Sequence, residues 1–232
     1  MKGIEKWALI ALGLAVTLPV FGQKEEQQRL VDSTAVLKEI IGMPEKGIPK
    51  NLLSKAVCVV VYPSVKKAGF IVGGSYGRGA MSCRTGADWG GPWSAPAMYA
   101  LEGGSFGLQA GGQATDVVLL IMNGRGAESA MSSKVKMGAD ASVAVGPVGR
   151  EVSAETDVAL TAQILSYSRA KGIFGGVSLQ GSTMRSDDAA NKSLYGKGLN
   201  AKQIVREGQV QVPDAGKAFV DILTQISPKH SS

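Results

Sequence analysis

Histidine, cysteine and aromatic residues are all scarce in this 232-residue sequence, and each scarcity removes a class of chemistry. The one histidine, His230, lies in a polar C-terminal stretch where a fixed general base is hard to hold. One histidine and two widely spaced cysteines, Cys58 and Cys83, cannot build a four-ligand zinc centre without carboxylates. No metal is therefore expected. Charge of one sign is also in short supply. The formal net charge is +6, falling to +5 without Lys2, Glu5 and Lys6. Such an excess permits attraction to anionic lipid or polymer but is too small for a nucleic-acid footprint. No cofactor loop survives inspection. Val117–Met122 followed by Gly124-Arg125-Gly126 approaches a dinucleotide fingerprint, but Ser129 stands in place of the third glycine and no βαβ series surrounds it.

The N-terminus reads as an export signal. Lys2 and Lys6 precede an apolar run from Trp7 to Val20, with Pro19 near its end and Val20-Phe21-Gly22 before polar Gln23-Lys24-Glu25. That order of basic, apolar and cleavable segments marks a secretory signal over residues 1–22. The 14-residue run falls short of the roughly 20 residues needed to span a bilayer, which disfavours the alternative of a retained anchor. Residues 23–232 then form one domain, periplasmic or secreted. In an oxidising compartment Cys58 and Cys83 either pair or stay as buried thiols; sequence leaves both open.

Glycine, by contrast, is abundant, with 31 residues. In Phe70–Gly79 it falls on one face with Ser75, at Gly73, Gly77 and Gly79, and a similar face recurs at Gly103, Ser105, Gly107 and Gly111. Glycine weakens a strand, so a one-sided run implies close approach of another layer or sharp curvature. Strands are expected over Ala56–Tyr62, Asp116–Met122, Ala139–Val148, Thr161–Arg169 and Ile173–Met184. Helical spacing over Gln23–Ile41 ends at Gly42 and Pro44. Later helices start from caps at Asn123, Asp187 or Asp188, and Asn200, and the last follows Pro213 with a stripe of Phe219, Ile222, Leu223 and Ile226. The order predicts an α+β fold: a glycine-rich, mainly antiparallel, strongly curved sheet packed with N- and C-terminal helices.

Gly73-Gly74-Ser75-Tyr76-Gly77 and Gly103-Gly104-Ser105-Phe106-Gly107 fit the hydrolase nucleophile elbow, which needs a strand-to-helix turn. Both lie in strand-like alternation, so a serine hydrolase built on Ser75 or Ser105 lacks its turn as well as its base. The chain reads as a binding protein, not an enzyme.

Tyr62-Pro63-Ser64-Val65-Lys66-Lys67-Ala68-Gly69-Phe70-Ile71-Val72-Gly73-Gly74 resembles the opening motif of the SYLF domain, a lipid-binding family. Trp93–Ala97, Gly103–Gln109, Ser133–Ser142, Gly146–Arg150, Ser166–Phe174 and Asn191–Gly196 resemble its later blocks in order, over about residues 25–226. The resemblance implies binding of phosphoinositide or other anionic lipid, with actin binding in eukaryotic members and an envelope role in the exported bacterial branch. The residues themselves offer Lys66, Lys67, Arg78, Lys134, Lys136, Arg169 and Lys171 beside glycine-rich strands as a possible phosphate-binding set. The rival reading is a structural module presenting a surface to an envelope protein partner. The first helix packs on the sheet or lies on a membrane by its apolar face.

Overall fold

The computed structural model describes residues 20–42, 47–69, 72–106, 113–148, 161–170 and 173–228. Most of the expected signal, residues 1–19, lies outside them; Val20–Gly22 form the start of α1, Val20–Ile41. This helix buries Leu30, Ser33, Val36, Leu37 and Ile40 at helical spacing and stops at Gly42, whose N–H bonds Lys38. A short α2, Lys50–Lys55, leads into four long strands: β1 Cys58–Gly69, β2 Val72–Cys83, β3 Ala97–Phe106 and β4 Gln113–Ile121. Helix α3, Gly124–Ala130, is capped by the Asn123 side chain on Gly126 N–H. Shorter strands follow: β5 Lys134–Lys136, β6 Val143–Val145, β7 Ile164–Ala170, β8 Ile173–Gly176 and β9 Thr183–Ser186. Helices α4 Asp188–Tyr195, α5 Ala201–Val205 and α6 Asp214–Ile226 close the described chain. Asp187 caps α4, and Asn200 with Gln203 forms a capping box on α5.

The strands make one sheet in the order β5-β9-β3-β2-β1-β4-β7-β6, with β8 also on β7. Every pairing is antiparallel except β6 with β7. Flat, that order would hold β5 and β6 about 34 Å apart, at about 4.8 Å per spacing. Lys136 and Val143 end and begin those two edge strands, and so few residues reach about 25 Å at most. The sheet must curl, and it does, into a half-barrel. Residues 137–142 run between its two sides: Met137 N–H bonds Ser182 O at 2.8 Å and Ile164 N–H bonds Ser142 O at 3.0 Å.

Curling gives the sheet two cores. Its inner face carries Val60, Tyr62, Met81, Tyr99, Leu101, Leu119 and Ile164. Its outer face carries Val59, Val61, Ala80, Met98, Val118 and Leu165 beneath α1, α2, α4 and α6. The first helix is therefore a core element. Cys58 and Cys83 are register partners on β1 and β2, and a disulfide joins them within the inner core. At the same end buried Arg84 holds the C-terminus of α6, donating to Ser227 O at 2.6 Å and Pro228 O at 2.7 Å while lying over the Trp93 ring. Those end-of-helix carbonyls carry the negative pole that favours a cation there.

Two sequence expectations require correction. The alternation over Ile173–Met184 is two strands on different parts of the sheet, with a turn at Gly181 (φ 83°) between them. Ala139–Val148 contributes only the three residues of β6, because Gly138 (φ 87°) starts a turn through Asp140.

Candidate functional site

Strands β1, β3 and β7 run the same way, so their C-terminal ends lie together at one end of the sheet with the N-terminal ends of β2, β4 and β8. An extra residue at Pro63-Ser64 sets what β1 shows there. Tyr62 faces Val117 and Val65 faces Thr115, so three steps on β1 match two on β4. Ser64 takes φ 58° at this bulge, and its N–H donates to Asp116 Oδ1 at 2.9 Å. Beyond the bulge Lys66 points to the outer face, while Lys67 shares the inner face with Ser75 and Gly103.

Register partners share a face. Lys136, Thr183, Glu102, Tyr76 and Lys66 thus form one row across five strands of the outer face. Lys134, Arg185, Ala100 and Arg78 form the next. Five of the seven expected cations meet on this face: Lys66, Arg78, Lys134, Lys136 and Arg169. Lys67 is on the other face, and Lys171 lies outside the described residues.

Two of the five are committed within the protein. Arg169 donates to Asp116 Oδ2 at 2.9 Å and pairs with Glu39 of α1. Arg78 pairs with Asp187 at 3.2 Å, Glu26 at 3.7 Å and Glu25 at 3.8 Å. Buried Arg29 completes this network, 2.6 Å from Glu26 and 3.4 Å from Asp187. Burial pushes the Glu26 carboxyl up and the Arg29 guanidinium down despite their contact, so both charged forms are held at a cost. Burial also works against Arg78, but Asp187 and Glu26 outweigh it and hold the guanidinium above its ordinary range. Lys66, Lys67, Lys134 and Lys136 have no ion pair among the described residues.

Between α1 and the bulge lies a cleft of about 380 Å³. Glu25, Gln28, Arg29 and Asp32 line its helix wall, at the i, i+3, i+4 and i+7 spacing of one helical face. Pro63, Ser64, Lys66, Tyr76, Gly77 and Arg78 of β1 and β2 line its sheet wall. Tyr76 is 45% exposed. Sequence reasoning found Lys66 and Arg78 but missed Arg185, which pairs with Glu102 at 2.7 Å, and the whole acidic helix wall. The helical spacing of Glu25, Gln28 and Asp32 was the available signal; which strand they would face was not.

Neither serine pattern forms a nucleophile elbow. Ser75 is inside β2, with its hydroxyl on Gly103 O at 3.3 Å, and Ser105 lies within β3 opposite Gly73. No group of three metal-ligating side chains occurs among the described residues.

A family model described as "Ysc84: Las17-binding protein actin regulator" matches residues 102–226, a range that holds Lys134, Lys136 and Arg169. SH3 domain-containing YSC84-like protein 1 of Xenopus laevis is 30% identical over 81% of this chain and 55% of its own length. An SH3 domain-containing protein of Schizosaccharomyces pombe is 36% identical over 77% of this chain and 41% of its own. Protein YSC84 of Saccharomyces cerevisiae is 34% identical over 77% and 38%. The chain spans about half the length, or less, of these curated relatives.

Proposed function

The chain belongs to the Ysc84, or SYLF, family, and on that premise we propose a non-catalytic lipid-binding domain, exported to the bacterial envelope, that binds anionic phospholipid head groups. One observation carries this reading. Lys66 and Lys67 stand without ion pairs among the described residues, near the end of the sheet where β1, β3 and β7 finish. Lysines without an ionic partner are available to phosphate, each contributing about 1 kcal/mol near an anionic surface. Lys134 and Lys136 extend the outer face that carries Lys66 toward the far edge. Arg78 and Arg169 serve chiefly to hold α1 against the sheet, and their phosphate role is secondary.

Co-sedimentation of the chain with vesicles tests the proposal. Binding to phosphatidylglycerol-containing vesicles should exceed binding to phosphatidylcholine alone and should fall as salt rises. Replacing Lys66 and Lys67 with alanine should weaken it about thirty-fold, from two contacts of about 1 kcal/mol each. Equal, poor binding to both vesicles at low salt overturns the lipid reading.

A second reading is a protein-docking module. It draws support from the family description, which names a Las17-binding actin regulator, and from Lys134 and Lys136, exposed on the edge strand β5 without ion pairs among the described residues. Binding unaffected at Lys66 and Lys67 but lost when Lys134 and Lys136 are replaced would move the functional surface to that edge.

A further inference from the structure

The cleft beside Lys66 is not a purely cationic site. Its sheet wall offers Lys66 and Arg78, and its helix wall offers Glu25 and Asp32. Lys66 has no counter-ion among the described residues, and Asp32 holds only the side-chain amide of Gln28, at 2.8 Å. Arg78 and Glu25 pair across the cleft at 3.8 Å and Arg29 is taken up by Glu26 and Asp187, which leaves Lys66 on one wall and Asp32 on the other without an ionic partner among the described residues. Tyr76, the register partner of Lys66, adds an exposed ring to the basic wall. A simple phosphate would satisfy one wall and be repelled by the other. A ligand with both charges would satisfy both.

We propose that this cleft binds a zwitterionic phosphoester: a phosphate carrying a primary ammonium two carbons away, as in phosphoethanolamine. Lys66 takes the phosphate oxygens, with Arg78, already paired to Asp187, in a secondary role. Asp32 and Glu25 accept hydrogen bonds from the ammonium, and the Tyr76 ring packs on the ethylene link. A volume of about 380 Å³ suits a head group rather than a polymer. As a lipid site, the cleft rests on the reading that this end of the sheet meets a membrane. The ligand chemistry itself does not, because a soluble glycerophosphoester carries the same groups.

The test titrates the full chain with glycerophosphoethanolamine, glycerol 3-phosphate and ethanolamine, followed by chemical-shift changes. Glycerophosphoethanolamine should bind at least ten-fold tighter than either fragment. Lys66→Glu should weaken it and glycerol 3-phosphate alike, whereas Asp32→Asn should weaken only the zwitterion and erase its advantage. Both positions are exposed, so the fold should tolerate the changes. Equal affinity for glycerophosphoethanolamine and glycerol 3-phosphate, or an advantage that survives Asp32→Asn, overturns the proposal whatever anionic vesicles do. Vesicles then separate the sources. If phosphatidylethanolamine raises binding at constant phosphatidylglycerol, the ligand is a lipid head group. If the soluble phosphoester binds and no vesicle does, the cleft stands and the membrane reading fails.

Discussion

A methyl group placed on Gly79 would collide with the carbonyl oxygen of Val61 and lie 2.7 Å from Tyr62 Cδ1. Neither neighbour is the loose end of a flexible chain. Gly104, one strand over, has nothing within 4 Å of where its Cβ would lie. The two glycines look alike in sequence but serve different ends. At Gly79 the inner face needs the close approach that a one-sided glycine pattern suggests; at Gly104 the outer surface is open. Gly79→Ala should therefore cost about 1–3 kcal/mol through overpacking, while Gly104→Ala should leave stability unchanged or raise it by about 0.5 kcal/mol. Urea midpoints of the two variants check this, and equal shifts would refute the distinction.

Elements bounded by local chemistry were legible from the sequence, and those placed by distant partners were not. Asn123, Asp187 and Asn200 announce their helices because a cap is a contact within three residues. The split of Ile173–Met184 into β8 and β9 was hidden, since alternation gives a strand's faces but not its place in the sheet. For the same reason seven basic residues were visible, yet the pairs Arg78–Asp187 and Arg169–Glu39 were not. Helix α1 illustrates the choice that periodicity leaves open between core and membrane. Leu37 is fully buried against the other elements, whereas Val31 is 51% exposed. Leu37→Ala should cost about 2–5 kcal/mol by leaving a cavity, and Val31→Ala should change little. Chemical denaturation checks it; a stable Leu37→Ala would mean that α1 is dispensable to the core and free for a membrane. The edge strand β5 shows restraint of another kind. Lys136 N–H is taken by Asp140 Oδ2 at 2.7 Å and Lys134 O by the Ser132 hydroxyl at 3.2 Å. Its own turns occupy these edge groups, which disfavours strand addition there.

Across the whole molecule, the stabilising anchors and the proposed recognition surface sit at opposite ends of the same strands. Cys58–Cys83 and the Arg84 anchor of α6 lie at one end of β1 and β2, and Lys66, Lys67 and Tyr76 lie toward the other. The disulfide spans a sequence separation of 25, and closing such a loop in the unfolded chain favours the folded state by roughly 3 kcal/mol on the chain-entropy argument. Replacing both cysteines with alanine should lower the unfolding free energy from urea titration by that amount and leave vesicle binding intact, because the lysines lie beyond the bulge on the far side. A variant that kept its stability would show that the inner core suffices without the bridge; one that lost lipid binding while still folded would show that the two ends are coupled. The same bond bears on location. A buried disulfide persists in an oxidising compartment and is rare in a reducing one. Thiol labelling of the denatured protein, taken directly from its native source, should therefore find neither cysteine reactive, and the mature mass should lack residues 1–22. Free thiols on a full-length chain would overturn export.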